Sequence, residues 1–395
     1  MYDAAIIGGG PVGSQVAYRL AGLGYDVVVV EQKDILGGPV CCTGIISQEC
    51  FDHFVIDSSI LFRQANSAKV FPPSGNLLRV WRQEPQACII DRAAFNLAFA
   101  VRSQNRGIKY RLSSLVRAVE VQDDMVRIET GRTGEDSEFI EARVAVIATG
   151  SNSNLVEDLG FGKISDFAMG VQAEVETNSV DEVEVYLGQK IAPDFFAWLV
   201  PTSPKRALVG LLGRRRVGFY LKRLMASLSA QGKIVSAEVN LSFARVPLGP
   251  LTKTYSNRIV VVGSAAGQVK PTTGGGIYFG LLCADIAADN LSRALGRDDL
   301  STKSLASYEK EWKKRLGREL KMGHWCRKFY ELLSDSRIDR IFDIIKSNGI
   351  DEEFLKADDL SFDWHGKVIL KLIGHQALSR TIQKMKLPFP PGRRD

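Results

Sequence analysis

The sequence predicts an α/β fold of the Rossmann type, with a β-rich domain inserted into it and a helical region towards its C-terminal end. Three observations predict it. Residues 3–31 read as strand, glycine-rich turn, helix and strand, the order of a mononucleotide-binding βαβ half. Two later apolar strands, 144–147 and 259–262, each run into a glycine-containing turn. Finally, residues 166–245 alternate strand-like stretches with loops, whereas after residue 300 the apolar positions Leu305, Tyr308, Trp312 and Leu316 recur at helical spacing.

Taken in order, residues 4–7 form the first strand, 11–23 a helix that ends at Gly24, and 27–30 the second strand. Residues 115–147 read as a β-meander, with turns at Asp123-Asp124 and at 131–134, whose last strand ends at Ala148, Thr149 and Gly150. Strands are expected at 171–175 and 208–212, a helix at about 275–295, and a frayed tail at 388–395. The chain then divides into a discontinuous dinucleotide domain (1–60, 91–165 and 246–300), a β-rich substrate domain (61–90 and 166–245) and a helical region (301–395).

Composition narrows the function class. With 395 residues, 45% hydrophobic and 24% charged, the chain is an ordinary globular protein of two or three domains. No apolar stretch approaches the ~20 residues that span a bilayer. No basic start and cleavage site precede the first strand, so no signal peptide is expected. Six cysteines (Cys41, Cys42, Cys50, Cys88, Cys283, Cys326) without a C-x-x-C pair argue against a disulfide scaffold or a zinc site. A reducing, cytoplasmic, metal-free protein is expected. The net charge of +6 includes basic clusters at Lys205-Arg206, Arg214-Arg215-Arg216 and Arg393-Arg394. These belong to a solvated surface or meet anionic phospholipid at a peripheral membrane surface. Nucleic acid is excluded as a partner for want of a recognition motif or aromatic platform.

The first turn, Gly8-Gly9-Gly10-Pro11-Val12-Gly13, follows a strand and opens a helix. Gly8 permits the tight turn, Gly10 lets backbone approach a pyrophosphate, and Gly13 lets helix and strand pack closely. Pro11 and Val12 start the helix whose free N–H groups and dipole attract phosphate. Glu31, followed by Gln32, stands where adenosine ribose hydroxyls are received.

Later segments choose the cofactor. The turn at 8–13, Asp91-Arg92, Ala148-Thr149-Gly150 and Gly263-Ser264-Ala265-Ala266 occur in the order found in the FAD-dependent reductases and hydroxylases that include p-hydroxybenzoate hydroxylase, which the sequence resembles. The resemblance implies FAD, with Arg92, Gly150, Gly263 and Ser264 near it. Ser264 replaces the aspartate that usually bonds the ribityl chain in that superfamily. The run Gln268, Val269, Lys270, Pro271, Thr272, Thr273, Gly274, Gly275, Gly276, Ile277 opens a helix whose N-terminus suits the negative charge held at N1 and O2 of a reduced flavin.

Over nearly the whole chain the sequence is similar to the geranylgeranyl reductase family. The residues carrying the likeness are Gly38-Pro39-Val40-Cys41-Cys42-Thr43-Gly44-Ile45-Ile46-Ser47, the 263–276 segment, and Phe196-Ala197-Trp198-Leu199-Val200-Pro201 with Gly210 and Gly213. The likeness implies an isoprenoid pocket at Phe196, Trp198, Pro201, Gly210 and Gly213, and a cysteine, Cys42, close to the flavin with Cys41 beside it. Phe196 stands for the family's Tyr and Val200 for its Phe, so one aromatic wall is reduced. Read without the family, Phe195, Phe196 and Trp198 serve equally as core packing, and Cys42 as an inert buried thiol.

Members reduce isolated C=C bonds of geranylgeranyl chains, by hydride from reduced flavin N5 and a proton. Phe196 and Trp198 then favour the developing cation through their ring faces, and Cys42, a flavin-bound water and Tyr278 are candidate acids. The implied partners are an isoprenoid lipid or prenyl diphosphate and an electron donor, NADPH or reduced ferredoxin. Two other readings stay open: a flavin-dependent halogenase or monooxygenase, because the Trp-x-Trp-x-Ile-Pro of tryptophan halogenases is not far from Phe196 to Pro201, and a non-catalytic isoprenoid carrier.

Overall fold

The computed structural model describes residues 1–384 apart from 39, 132–136, 179, 236–238 and 356–360. Pro39, most of the 131–134 turn and the tail from 388, with Arg393 and Arg394, lie outside the described residues. The described chain forms two compact units: Met1–Pro39, Arg92–Phe167 and Val246–Leu320, and Val40–Asp91, Ala168–Arg245 and Lys321–Asp395.

The first unit is the α/β nucleotide fold. The strand Tyr2–Ile7 lies at the centre of its sheet, parallel to Val27–Val30 on one side and to Glu138–Ile147 on the other. Lys109–Arg111 and Ile259–Val261 extend the parallel run outwards. All four residues of Val27–Val30 are buried, as expected of a strand covered on both faces. The meander is present: Leu115–Val121 and Val126–Gly131 pair antiparallel and join Glu138–Ile147. The helix Pro11–Gly22 has proline in its first turn and buries Val16, Ala17 and Leu20. The helix Ile277–Gly296 packs against it. Leu305, Tyr308, Trp312 and Leu316 of the helix Thr302–Glu331 are all buried, as their spacing predicts.

The second unit holds a seven-stranded sheet in the order Ser242–Pro247, Phe167–Glu176, Arg206–Gly213, Phe196–Ser203, Val183–Leu187, Ser67–Phe71 and Leu78–Trp81. One face carries Val171, Ala173, Ala197, Leu199, Val209 and Leu211 and packs on Leu221, Met225 and Leu228 of the helix Val217–Ala230. A three-stranded sheet of Ile45–Ser47, Ala87–Ile90 and Leu61–Ala65 belongs to the same unit. Residues 40–60, grouped by sequence order with the dinucleotide domain, therefore cluster with the β-rich unit, because Ile45–Ser47 pairs with Ala87–Ile90. The helical region is also divided: residues to Leu320 join the first unit and those from Lys321 the second.

Candidate functional site

In the first unit, three glycine turns converge. Gly8 has φ +110°, and a Cβ there would meet the Ala148 carbonyl oxygen at 2.5 Å. A Cβ on Gly13 would fall 2.0 Å from the Gly8 oxygen, so only glycine lets the helix start against its own turn. Gly10 and Gly150 face open space, with no atom within 4 Å of an added Cβ. Backbone can approach a ligand at both places. Val12 is the hub: a Cβ on Gly263 would lie 3.1 Å from its Cγ1, and one on Gly280 2.7 Å from its Cγ2. Ser264 Oγ lies beside Gly276, 3.4 Å from where its Cβ would be.

Glu31 orders the first turn. Its Oε2 accepts from the Gly9 N–H at 2.7 Å and its Oε1 from the Lys33 N–H at 3.0 Å. Gln32 is exposed. Arg92 opens the helix Arg92–Gln104, donates from Nη1 to Asn96 Oδ1 at 2.8 Å, and keeps a buried Nε without a hydrogen-bond partner among the described residues. Thr149 Oγ1 is likewise buried and unpartnered. Open glycines, a helix N-terminus with no side-chain cap and these orphaned polar atoms fit a dinucleotide cofactor.

Gly276 is the N-cap of the helix Ile277–Gly296, also without a side-chain cap. The loop before it is closed by Lys270 N–H to the Gly275 oxygen at 3.0 Å and Gly274 N–H to the Lys270 oxygen at 2.9 Å, and the Thr273 hydroxyl accepts from Gly275 at 3.4 Å. Lys270 itself is buried under Gly275, its Cε 2.7 Å from the place of a Cβ. Tyr278, one candidate acid, is buried in the helix.

Sequence reasoning missed the brace behind this loop. Gln268 Oε1 accepts from the Gly263 N–H at 2.7 Å, and Gln268 Nε2 donates to the Tyr308 hydroxyl at 2.9 Å. Tyr308 in turn donates to the Val261 carbonyl at 2.9 Å. Gln268 stood within the quoted run and Tyr308 within an apolar stripe, but only tertiary packing reveals that they meet.

In the second unit the aromatic strand and the cysteine segment come together. Trp198 pairs with Gly210, and Gly210 with Gln172, giving one row across the sheet. The indole lies over Gly210, where a Cβ would meet Trp198 Cζ2 at 2.5 Å. The Phe196 and Trp198 rings are 5.9 Å apart and tilted. Gln172 is buried and donates to the Cys42 carbonyl at 3.4 Å, while its own Oε1 and the buried Trp198 Nε1 have no hydrogen-bond partner among the described residues. Cys41 Sγ donates to the Ser242 carbonyl at 3.4 Å, and burial pushes its thiol up from the ordinary value. Strand alternation puts Pro201 and Gly213 on the other face, where a Cβ on Gly213 would meet Val217 at 3.0 Å. Phe196, Trp198 and Gly210 thus share a face with Gln172, and Pro201 and Gly213 do not. No group of metal-ligating side chains is present among the described residues.

Comparison with known proteins accords with this fold. A family model described as lycopene cyclase protein matches residues 86–355, and one described as pyridine nucleotide-disulphide oxidoreductase matches residues 2–166. A digeranylgeranylglycerophospholipid reductase of Methanocaldococcus jannaschii is 29% identical over 90% of this chain and 94% of its own. A second reductase of that name, from Methanothermobacter thermautotrophicus, is 28% identical over 86% of this chain and 90% of its own. Among solved structures, a geranylgeranyl bacteriochlorophyll reductase-like protein of Thermoplasma acidophilum superimposes with a TM-score of 0.85 at 21% identity, covering 98% of both chains. A flavin-dependent brominase superimposes with a TM-score of 0.69 at 14% identity, covering 98% of this chain and 99% of its own.

Proposed function

The chain belongs to the family of lycopene cyclase proteins and to the geranylgeranyl reductase line of FAD-dependent oxidoreductases, and from that premise we propose that it saturates isolated double bonds in the geranylgeranyl chains of a membrane glycerolipid. The observation that carries the proposal is the row Trp198, Gly210 and Gln172, in which a glycine is required for an indole to lie flat on the sheet. An apolar chain laid on that face gains ~0.8 kcal/mol for each CH₂ removed from water.

When bound, reduced FAD supplies the hydride. The residues of the chain do the rest. Gly8, Gly10, Gly13 and the N-terminus of the helix Pro11–Gly22 hold the pyrophosphate, and Glu31 the ribose. Arg92, Gly150, Gly263, Ser264 and the loop 273–277 hold the remainder of the cofactor. The free N–H groups that begin the helix Ile277–Gly296 would suit the negative charge of a reduced flavin. Trp198 and Phe196 exclude water and present ring faces to the positive charge that develops on the substituted alkene carbon. Cys42 gives its proton to that alkene and regains one from solvent. The sequence holds a single dinucleotide fingerprint and so no dedicated NADPH domain; the donor, NADPH visiting the flavin or reduced ferredoxin, then comes from solution. No helix among the described residues is long and apolar enough to cross a membrane.

The test is to reduce the flavin-loaded protein without oxygen and offer geranylgeranyl diphosphate or a geranylgeranyl glycerolipid. A mass gain of one hydrogen pair per double bond is the expected result. Oxygen-dependent hydroxylation or halogenation would replace this reading with the monooxygenase one. Lipid retained without any mass change would leave a carrier.

A further inference from the structure

Arg327 is a charged side chain where charge is costly. Its side chain is only 3% exposed, its guanidinium lies 3.5 Å from the centre of the Phe195 ring, and its Nη2 has no hydrogen-bond partner among the described residues. Among the described residues its ion pair is a long one, from Nε to Glu331 Oε1 at 3.5 Å. That same carboxylate is already engaged by Arg214 Nη2 at 2.6 Å and by Lys328 Nζ at 3.2 Å. Burial alone would raise the Glu331 carboxyl, but these hydrogen bonds and charges hold it below its ordinary value. Arg327, Arg214 and Lys328 thus all approach the Glu331 carboxylate. The other nearby carboxylates are turned elsewhere, Asp335 accepting from the Gln189 N–H at 2.8 Å and Asp194 from the Gln189 side chain at 3.4 Å.

A buried cation without its full complement of acceptors is costly unless an anion offsets it. Guanidinium groups match the oxygens of phosphate in a planar, two-point geometry. The cluster also has a telling place in the fold. Tyr330, three residues beyond Arg327, donates to the Phe195 carbonyl at 3.1 Å, and Phe195 immediately precedes the strand that carries Phe196 and Trp198. At about 3.3 Å per residue, Trp198 lies roughly 10 Å along the strand from Phe195.

We propose that Arg327, with Arg214 and Lys328, binds the phosphate of the prenyl substrate's head group, so that the chain leaves the cluster along the aromatic strand and its double bonds reach Trp198. The proposal deepens the reductase reading and rests on it for the course of the prenyl chain, but the anion site itself does not. The phosphate is either the diphosphate of a free prenyl precursor or the diester of a glycerophospholipid.

The experiment has two arms. In the first, inorganic pyrophosphate is titrated calorimetrically into the flavin-loaded protein and into Arg327→Met, Arg327→Lys and Arg214→Gln variants, with flavin content and melting temperature recorded for each. Saturable binding that weakens roughly tenfold or more in Arg327→Met, and less in Arg327→Lys, is expected. In the second, KM is compared for geranylgeranyl diphosphate, a geranylgeranyl glycerophospholipid and neutral geranylgeraniol. The ratio of the phosphate substrate's KM to that of the alcohol should rise about tenfold in Arg327→Met. Whichever phosphate substrate shows that rise is the source of the head group. Arg214→Gln, at a half-buried position, repeats the test if Arg327→Met does not fold. Pyrophosphate that binds wild type and variants alike, or KM values that shift together for phosphate and alcohol, overturn the proposal. Pyrophosphate binding that depends on Arg327 in a protein that reduces no prenyl chain would keep the anion site and remove the reductase reading.

Discussion

At the scale of single residues, a methyl group suffices to test the substrate wall. In Gly210→Ala the new Cβ meets Trp198 at 2.5 Å and the Val171 carbonyl oxygen at 2.7 Å, so the indole must leave the sheet. Overpacking of this kind costs about 1–3 kcal/mol, and it falls in the unit that does not contain the glycine turns. The variant is expected to keep its flavin absorbance while KM for a prenyl substrate rises; loss of flavin instead would show that Gly210 supports the fold as a whole. Cys42→Ala tests the proton step. As the proposed acid, its loss should lower kcat by about a hundredfold or more with little change in KM, measured in single turnovers of pre-reduced enzyme. An unaltered rate would pass the role to Tyr278 or water. Trp198, Gly210 and Cys42 were legible in the sequence because they stand in short motifs. Gln172 was not, since it joins them only through strand register, as the partner of Gly210 two strands from Trp198.

Between elements, the contacts that matter most were the least visible. The strands 4–7 and 27–30 and the helix after the first turn are written in local hydrophobic pattern, and the structure has them within a few residues. Sheet order is not local, and nothing in the sequence around Ile45–Ser47 announces its pairing with Ala87–Ile90. The brace from Tyr308 through Gln268 to Gly263 is of the same kind. Tyr308→Phe keeps the ring and removes the hydroxyl, leaving the Val261 carbonyl without its donor and Gln268 Nε2 without its acceptor, each completely buried. An unsatisfied buried group costs about 1–3 kcal/mol, here at the turn proposed to hold the ribityl side of the flavin. A weaker FAD dissociation constant, read by fluorescence on dilution, is expected, with Phe at 308 not altering prenyl KM in the fully loaded enzyme. In the second unit Glu182, just before the strand Val183–Leu187, ties two neighbouring strands through Arg79 at 2.8 Å and Lys69 at 3.1 Å. Burial would raise its carboxyl, but those partners and Ser67 hold it down at about 2, against 4.5 for the free group. Because the folded value is depressed, the ion pairs stabilise the protein above pH 4.5 and that contribution is lost as pH falls towards 2. Glu182→Gln should therefore be less stable at pH 7 by on the order of 1–2 kcal/mol, discounted for the exposed Arg79. Denaturant unfolding should show the gap narrowing at pH 3; a gap independent of pH would assign the loss to packing.

For the whole molecule, the net charge of +6 hinted at an anionic partner without saying where. We propose a place for it in the fold. Phe219 and Phe243 are 49% and 53% exposed although 24 residues apart in sequence, and Phe243 lies against Gly218, 3.7 Å from where its Cβ would be. Arg216 stacks over the Phe219 ring at 4.5 Å, and Arg215, Lys222 and Arg223 are exposed on the same helix or just before it. Aromatic rings among cations suit the interface of an anionic bilayer, where each Lys or Arg near the surface contributes about 1 kcal/mol. The sequence showed the basic run 214–216, but the second ring arrives only because the strand Ser242–Pro247 is next to the helix Val217–Ala230 in the fold. Vesicle sedimentation gives the test. The flavin-loaded protein should pellet with vesicles containing anionic phospholipid and not with neutral ones, and be released at 1 M salt, where screening shortens to about 3 Å. The double variant Phe219→Ala and Phe243→Ala should bind more weakly even at low salt, because charge alone does not hold a protein whose rings no longer enter the interface. Equal binding by wild type and the double variant would put the contact on another face, and binding to neutral vesicles would show that the cations play no part in it.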